Sequence, residues 1–475
     1  MNRLLKLSAL QLAQLIHSKE VTSLEVVNTH IARIESVNPE LNAVVCNRFE
    51  LARAEARKVD EQLHEEQMET IPPLLGVPCT IKECFRVSGM PNTSGLVARK
   101  GFVAEDNATA VQRLLKAGAI PLGVTNTSEL CMWMETNNRV YGRTNNPYDP
   151  ARIVGGSSGG EGSIVGAGGV PFGLGSDVGG SIRMPAFFNG VFGHKPTGGL
   201  IPNTGQFPVA ENNALRYLTT GPLCRKAEDL MPLVRILAGP DGLDEWCHAY
   251  NLQDPNEVMV EKLQILNVPG NLRTRVTRDL LDSQSQCADA LKKQGANVRT
   301  RHIDTLKNSL EIWTTMMVAA GGTPFGTLLG NGNPVRAIPE MVRWLTRRSP
   351  HTLPAIMLAF LEKMPFVFKR HIEMRDELRQ ELVGLIGNHG VMLYPSYSSP
   401  APFHYQPLMN PLDWVFTGIF NVLEFPVTQV PLGLNKNGLP LGIQIVATPG
   451  NDHLSIAVAM YLEKIFGGWV PPATF

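Results

Sequence analysis

The chain has 475 residues, 43% hydrophobic and 18% charged, the balance of a globular protein with a sizeable core. Its 43 basic and 43 acidic residues cancel, so nothing points to nucleic acid as a partner. Seven scattered cysteines without a CxxC pair suit a reduced, intracellular protein, and eleven dispersed histidines without HxxxH or HExxH give no metal motif. No run of about 18 apolar residues predicts a membrane-crossing helix, and the N-terminus lacks the apolar core of a signal peptide. As written, the chain reads as soluble. It shows no linker, low-complexity tract or repeat, so a single large α/β domain over residues 1–475 is expected.

In chain order, Ser8 is placed to cap a first helix, and Thr22-Ser-Leu-Glu25 fits a capping box for a second. Leu41–Val45 reads as a strand after an Asn38-Pro39 turn, and residues 49–67 as a charged surface helix. Gly76-Val-Pro-Cys-Thr-Ile-Lys82 alternates like a half-buried strand that begins at Pro78. A lysine ending such a segment is, from the pattern alone, usually exposed. Residues 107–117 form an amphipathic helix stopped by Gly118, and Ala119–Thr125 a further strand: the helix–glycine–strand unit of an α/β sheet. Downstream, Cys224–Leu237 and Ser283–Gln294 read as helices, and Leu263–Val268 and residues 296–300 as strands. Residues 306–372 are mostly helical. Gly390–Pro395 is a buried strand, and Pro426–Pro431 and Leu441–Val446 are paired strands around an Asn435-Lys-Asn-Gly turn.

The densest signal is Gly155–Thr197, GGSSGGEGSIVGAGGVPFGLGSDVGGSIRMPAFFNGVFGHKPT. Apolar residues between its glycines suggest tightly packed, buried backbone with spare N–H groups and serine hydroxyls. A phosphate loop would need GxxxxGK[ST], but Glu161 stands where the lysine should be. A GxGxxG dinucleotide motif fails because Val178 occupies the third glycine position. Gly156-Ser-Ser158-Gly-Gly160 does satisfy the GxSxG nucleophile elbow, with Ser158 attacking, although the turn-rich Asn146–Val154 is a poor preceding strand. The remaining reading is a serine–lysine hydrolase built from both serine clusters.

The residues that decide among these are Gly155-Gly-Ser-Ser-Gly-Gly-Glu, Gly175-Ser-Asp-Val-Gly-Gly-Ser181-Ile-Arg183-Met-Pro185 and Gly193-His-Lys-Pro-Thr197. Together they resemble the amidase signature. Ser181 follows Ser157 by 24 residues, and Lys82 precedes Ser157 by 75, after the Gly-Val-Pro that the family places there. The likeness extends through Gly438-Leu-Pro-Leu-Gly-Ile-Gln444. Within the family, Gly159-Gly-Glu161, Met184–Pro196, Asn451-Asp-His-Leu and Phe466-Gly-Gly-Trp469 resemble the fatty-acid amide hydrolases, type 2 in particular. Those enzymes usually begin with a hydrophobic membrane helix, which this sequence lacks, so it suits a truncated or anchorless form.

The resemblance implies an α/β/α sandwich with a large, twisted mixed β-sheet covered by helices, and a Ser-Ser-Lys mechanism without cofactor. Lys82 is then the base, Ser157 the bridging serine beside a cis peptide, and Ser181 the nucleophile. Backbone N–H groups of Val178, Gly179, Gly180 and Ser181 form the oxyanion site. Ser158, Asp177 and Arg183 support the loop, or serve only as a turn serine and a structural ion pair. His194 is expected to pack rather than react, since the relay needs no imidazole.

The substrate implied is a small-molecule lipid amide. Cys131-Met132-Trp133-Met134 aligns with the family's acyl-channel segment, though a buried core helix would look the same. In the region 336–372, the apolar stretch 353–368 between Arg347-Arg348 and Lys369-Arg370 suits a peripheral contact with membranes or lipid droplets. It equally suits a cover for the core or a homodimer interface. The alternatives are a small-amide amidase, the amidase subunit of a tRNA-dependent amidotransferase, and a non-catalytic interaction protein retaining the fold.

Overall fold

The structure, a computed structural model, describes residues 2–65, 70–363 and 369–473. Its strands are β1 (Val44–Asn47), β2 (Pro78–Lys82), β3 (Ile120–Thr125), β4 (Asn137–Asn138), β5 (Gly142–Arg143), β6 (Phe172–Asp177) and β7 (Phe192–Lys195). They continue with β8 (Thr219–Cys224), β9 (Gln264–Asn267), β10 (Asn297–Thr300), β11 (Gly390–Tyr394), β12 (Val427–Leu434) and β13 (Pro440–Val446). Eleven of them form one sheet in the order β1-β3-β2-β6-β8-β7-β12-β13-β11-β9-β10, while β4 and β5 pair separately. The sheet is mixed: β3, β2 and β6 run parallel, as do β11, β9 and β10, and the strands between them are antiparallel.

Strand periodicity divides the apolar residues between two cores. On β11, Val391 and Leu393 enter one cluster, and Met392 and Tyr394 enter the other. Strands buried on both faces must be covered by helices on both, the layering expected of this α/β fold.

The capped helices occur as expected: Ser8 forms a reciprocal capping box with Gln11, and the Thr22 side chain accepts the Glu25 amide. Other boundaries differ. The second helix runs through Pro39 to Leu41, because the Asn38 carboxamide takes the amides of Ala43 and Val44 and moves the turn to Asn42. The surface helix spans Phe49–His64; its expected end at 66–67 lies outside the described residues. Cys224 ends a strand rather than starting a helix, since β8 is paired on both sides by β6 and β7, and the helix begins only at Leu230. β2 is completely buried, not half-buried, between β3 and β6.

The largest departure is in Gly155–Thr197. It is buried, as its apolar residues suggested, and it also holds regular elements for which no pattern was found: the helix Gly159–Gly166, strand β6, the helix Arg183–Phe188 and strand β7. The two serine clusters are the turns on either side of β6.

Candidate active site

β2 and β6 lie side by side and parallel, with Ile81 opposite Leu174, so Lys82 emerges beside the end of β6. Its Nζ donates to Ser157 Oγ at 2.7 Å and to Ser176 Oγ at 3.0 Å. Lys82 is completely buried, and no carboxylate pairs with it among the described residues. The alternating strand pattern therefore misleads at this position: the lysine is packed inside. The Gly156–Ser157 peptide bond is cis, as the resemblance implied. A Cβ on Gly156 would press to 2.8 Å of Ser128 Oγ, so only glycine lets the chain pass there.

Ser181 sits in the second turn. The Ser158 amide donates to the Ser181 carbonyl at 3.2 Å, which sets the two clusters against each other. Of the three residues, Ser181 alone has appreciable access: it is 7% exposed, against 1% for Ser157 and 0% for Lys82. Its hydroxyl makes no hydrogen bond within the protein among the described residues.

Asp177 shapes this turn. Its carboxylate accepts the amides of Gly180 at 2.7 Å and Ile182 at 3.0 Å, and a two-pronged contact from Arg183 at 3.0 and 2.9 Å. Arg183 is fully buried and also donates to the Thr417 carbonyl, Gln444 Oε1 and Asn421 Oδ1. Burial opposes ionisation of Asp177, but the Arg183 charge and these hydrogen bonds outweigh it and hold the carboxyl well below the usual carboxylate range. Gly180, expected to offer its amide to substrate, gives it to Asp177. The amides of Val178, Gly179 and Ser181 have no protein acceptor among the described residues. Gly180 has φ +118°, and a Cβ there would collide with Thr417.

Ser158 is fully buried; its hydroxyl donates to the Ser176 carbonyl at 3.2 Å. A serine tied to backbone in this way is not positioned to attack, which removes the elbow geometry. His194 is buried between Thr428 Oγ1 and Asp452 Oδ1, far along the chain from the lysine contacts. Glu161 lies one turn into the helix after Ser158 and accepts from Thr80 Oγ1 at 2.6 Å and Thr125 Oγ1 at 2.7 Å. Burial pushes its carboxyl up to about 8, against the lowering effect of both threonines and of the Lys82 charge.

Several contributors escaped the sequence reading. Ser176 holds the lysine, Trp313 Nε1 donates to the Val178 carbonyl at 2.9 Å, and Thr417 Oγ1 donates to the Gly179 carbonyl at 2.7 Å. Trp313 and Trp414 meet edge to face at 4.6 Å and wall in Gly179. Only Ser176 carried a signal, its place inside the Gly175–Ser181 motif.

The four expected channel residues diverge. Trp133 lines a cavity of about 700 Å³ with Trp344, Leu353 and Tyr405. Met134 is buried against Tyr397, whose hydroxyl lies 3.4 Å from its sulfur. Cys131 is partly buried with its thiol 3.4 Å from Thr127 Oγ1, and Met132 is also partly buried. Among the described residues there is no cluster of three or more His, Cys, Asp or Glu that would hold a metal ion.

A buried amine touching one serine, beside a second serine with open amides around it, is the arrangement of a serine hydrolase that uses lysine in place of histidine. Residues 25–455 match the Amidase family, and the chain belongs to it. It is 48% identical to fatty-acid amide hydrolase 2-A of Danio rerio and 47% to fatty-acid amide hydrolase 2 of Homo sapiens, over 99% of this chain and 91% of each relative. Among solved structures, 6-aminohexanoate cyclic dimer hydrolase complexed with substrate superposes with a TM-score of 0.80 at 26% identity, covering 99% of both chains.

Proposed function

We propose that this amidase hydrolyses fatty-acid amides to fatty acid and amine through an acyl-enzyme on Ser181. The buried Lys82–Ser157 contact next to Ser181 carries this reading, and the similarity to fatty-acid amide hydrolase 2 supports the substrate class. As Ser181 Oγ attacks the carbonyl carbon, Ser157 takes its proton and passes its own to Lys82. A lysine accepts a proton only as the free amine. The tetrahedral oxyanion faces the amides of Val178, Gly179 and Ser181; one such donor is worth roughly 10²–10³ in rate. The proton then returns through Ser157 to the departing nitrogen, and water releases the acyl group by the same route. Ser158, Asp177 and Arg183 hold the two turns in register.

The cavity beside Trp133 is the acyl-receiving site in this reading. The helices Ala337–Leu345 and Leu353–Leu361 expose Ile338, Val342, Leu345 and Phe360, and Arg343, Arg347 and Arg348 are exposed near them. Apolar residues framed by basic ones suit a peripheral contact with a lipid surface, from which such substrates would be drawn. Residues 364–368 of the expected interfacial stretch lie outside the described residues.

Steady-state hydrolysis of a chain-length series of primary amides tests the substrate class. The expected result is a kcat/KM that climbs by about tenfold or more from about eight to about sixteen carbons. A profile that peaks at the shortest amides would instead assign a small-amide amidase.

A further inference from the structure

The stretch containing the expected channel residues is gripped at both ends by the same device. At its start Glu129, 2% exposed, meets His351 Nδ1 at 2.8 Å with one carboxylate oxygen and accepts the Thr352 amide at 2.7 Å with the other. At its end Glu135, 4% exposed, meets His404 Nδ1 at 2.8 Å and accepts the Tyr405 amide at 3.1 Å. Each carboxylate therefore holds a histidine ring and the amide of the next residue. Thr352 and Tyr405, the two residues gripped by their backbone, both line the cavity beside Trp133.

Between the grips the backbone is in an unfavourable region. Leu130 and Cys131 have φ of +52° and +60°, in the left-handed region that non-glycine residues rarely adopt, and surroundings must hold them there. Leu130 is held by packing on Leu329, Ala355 and Ala359, two of which lie on the inner face of the Leu353–Leu361 helix. The outer face of that helix exposes Met357, Phe360 and Leu361.

We propose that Glu129 and Glu135 are positioning residues for acyl-chain selection. Their carboxylates clamp the channel wall, and Glu129, through His351 and Thr352, ties that wall to the apolar Leu353–Leu361 helix. The assignment rests on the reading above that the cavity receives the acyl chain. Neither carboxylate reaches the Lys82, Ser157 or Ser181 side chains by a hydrogen bond, so releasing a clamp alters the binding of a long chain and spares the chemical step.

The test compares the wild-type chain with Glu129→Ala, Glu129→Gln and His351→Asn on two substrates: a long-chain primary amide and a short-chain butyryl anilide. Glu129→Ala is expected to raise KM for the long-chain amide about tenfold while kcat for both substrates stays within about twofold. Glu129→Gln, which keeps an acceptor for the Thr352 amide, is expected to recover most of the loss. Unchanged KM in a folded Glu129→Ala protein, or an equal fall of kcat on both substrates, overturns the proposal. If Glu129→Ala does not fold, His351→Asn decides: a KM rise of about threefold confined to the long chain supports the clamp, and none rejects it. Wild type that fails on the long-chain amide rejects the substrate reading itself, and the clamp's role in acyl selection falls with it. A failure of the clamp alone leaves wild type active on the long-chain amide and shows either as unchanged KM in the variants or as an equal fall of kcat on both substrates.

Discussion

Asp177 and Glu161 are both completely buried, yet their surroundings drive ionisation in opposite directions. Asp177 faces a guanidinium and several amides and is held as the anion; Glu161 faces two threonine hydroxyls and is held largely protonated, with its carboxyl at about 8 against the ordinary 4.5. A carboxyl raised on folding holds a proton that the unfolded chain releases. Its contribution to stability is thus full below about 4.5 and is lost as pH rises towards about 8. Glu161→Gln is accordingly expected to flatten the fall of Tm with pH across that window. Thermal unfolding from acid to mildly alkaline pH checks this, and superimposable slopes for the two proteins would refute it. Residues at this scale were legible where a linear spacing carried them: Lys82, Ser157 and Ser181 stand in the motif order. Glu161 was read as the residue that ruled out a phosphate loop and as part of the family motif, but not as a buried carboxyl, because burial of a glutamate beside glycines leaves no periodic trace. Trp313, Trp414 and Thr417 arrive from more than 100 residues downstream and carry no local mark.

Among the elements, the glycine-rich stretch shows what residue patterns conceal. Alternation and helical spacing reveal elements with one solvated face, as in the helix Arg278–Gln294, which the pattern located apart from its first turn. The helix Gly159–Gly166 and strand β6 are buried all round, so they have no polar face to set a period, and the sequence marks neither as a helix or a strand. The helices Ala337–Leu345 and Leu353–Leu361 pose the opposite case, with apolar side chains facing outward. If they meet lipid, replacing Ile338 and Phe360 together by Asp lowers co-sedimentation with anionic liposomes by about tenfold or more and leaves hydrolysis of a short, soluble amide intact. Wild type that does not sediment with liposomes contradicts the lipid contact. Among the described residues no helix is long and apolar enough to cross a membrane, so any such attachment by these helices is peripheral.

Across the whole molecule, the eleven-stranded sheet is the scaffold that turns distant sequence into one site. β2 carries Lys82, β6 carries Ser176 and separates the two serine turns, and Arg183 reaches across to Gln444 on β13. The α/β class and most strands were readable from helix–glycine–strand punctuation, whereas the strand order was not, since β7 pairs with β12 and β9 with β11 across long stretches of chain. The central claim is that Lys82, Ser157 and Ser181 act as one relay with Ser181 as nucleophile. Labelling by an alkyl fluorophosphonate, followed by peptide mapping of wild type, Lys82→Ala, Ser158→Ala and Ser181→Ala, tests it most directly. The account predicts a covalent adduct on Ser181, absent in Ser181→Ala, retained in Ser158→Ala and slowed by about 10² or more in Lys82→Ala. An adduct on Ser158 that survives Ser181→Ala would contradict it.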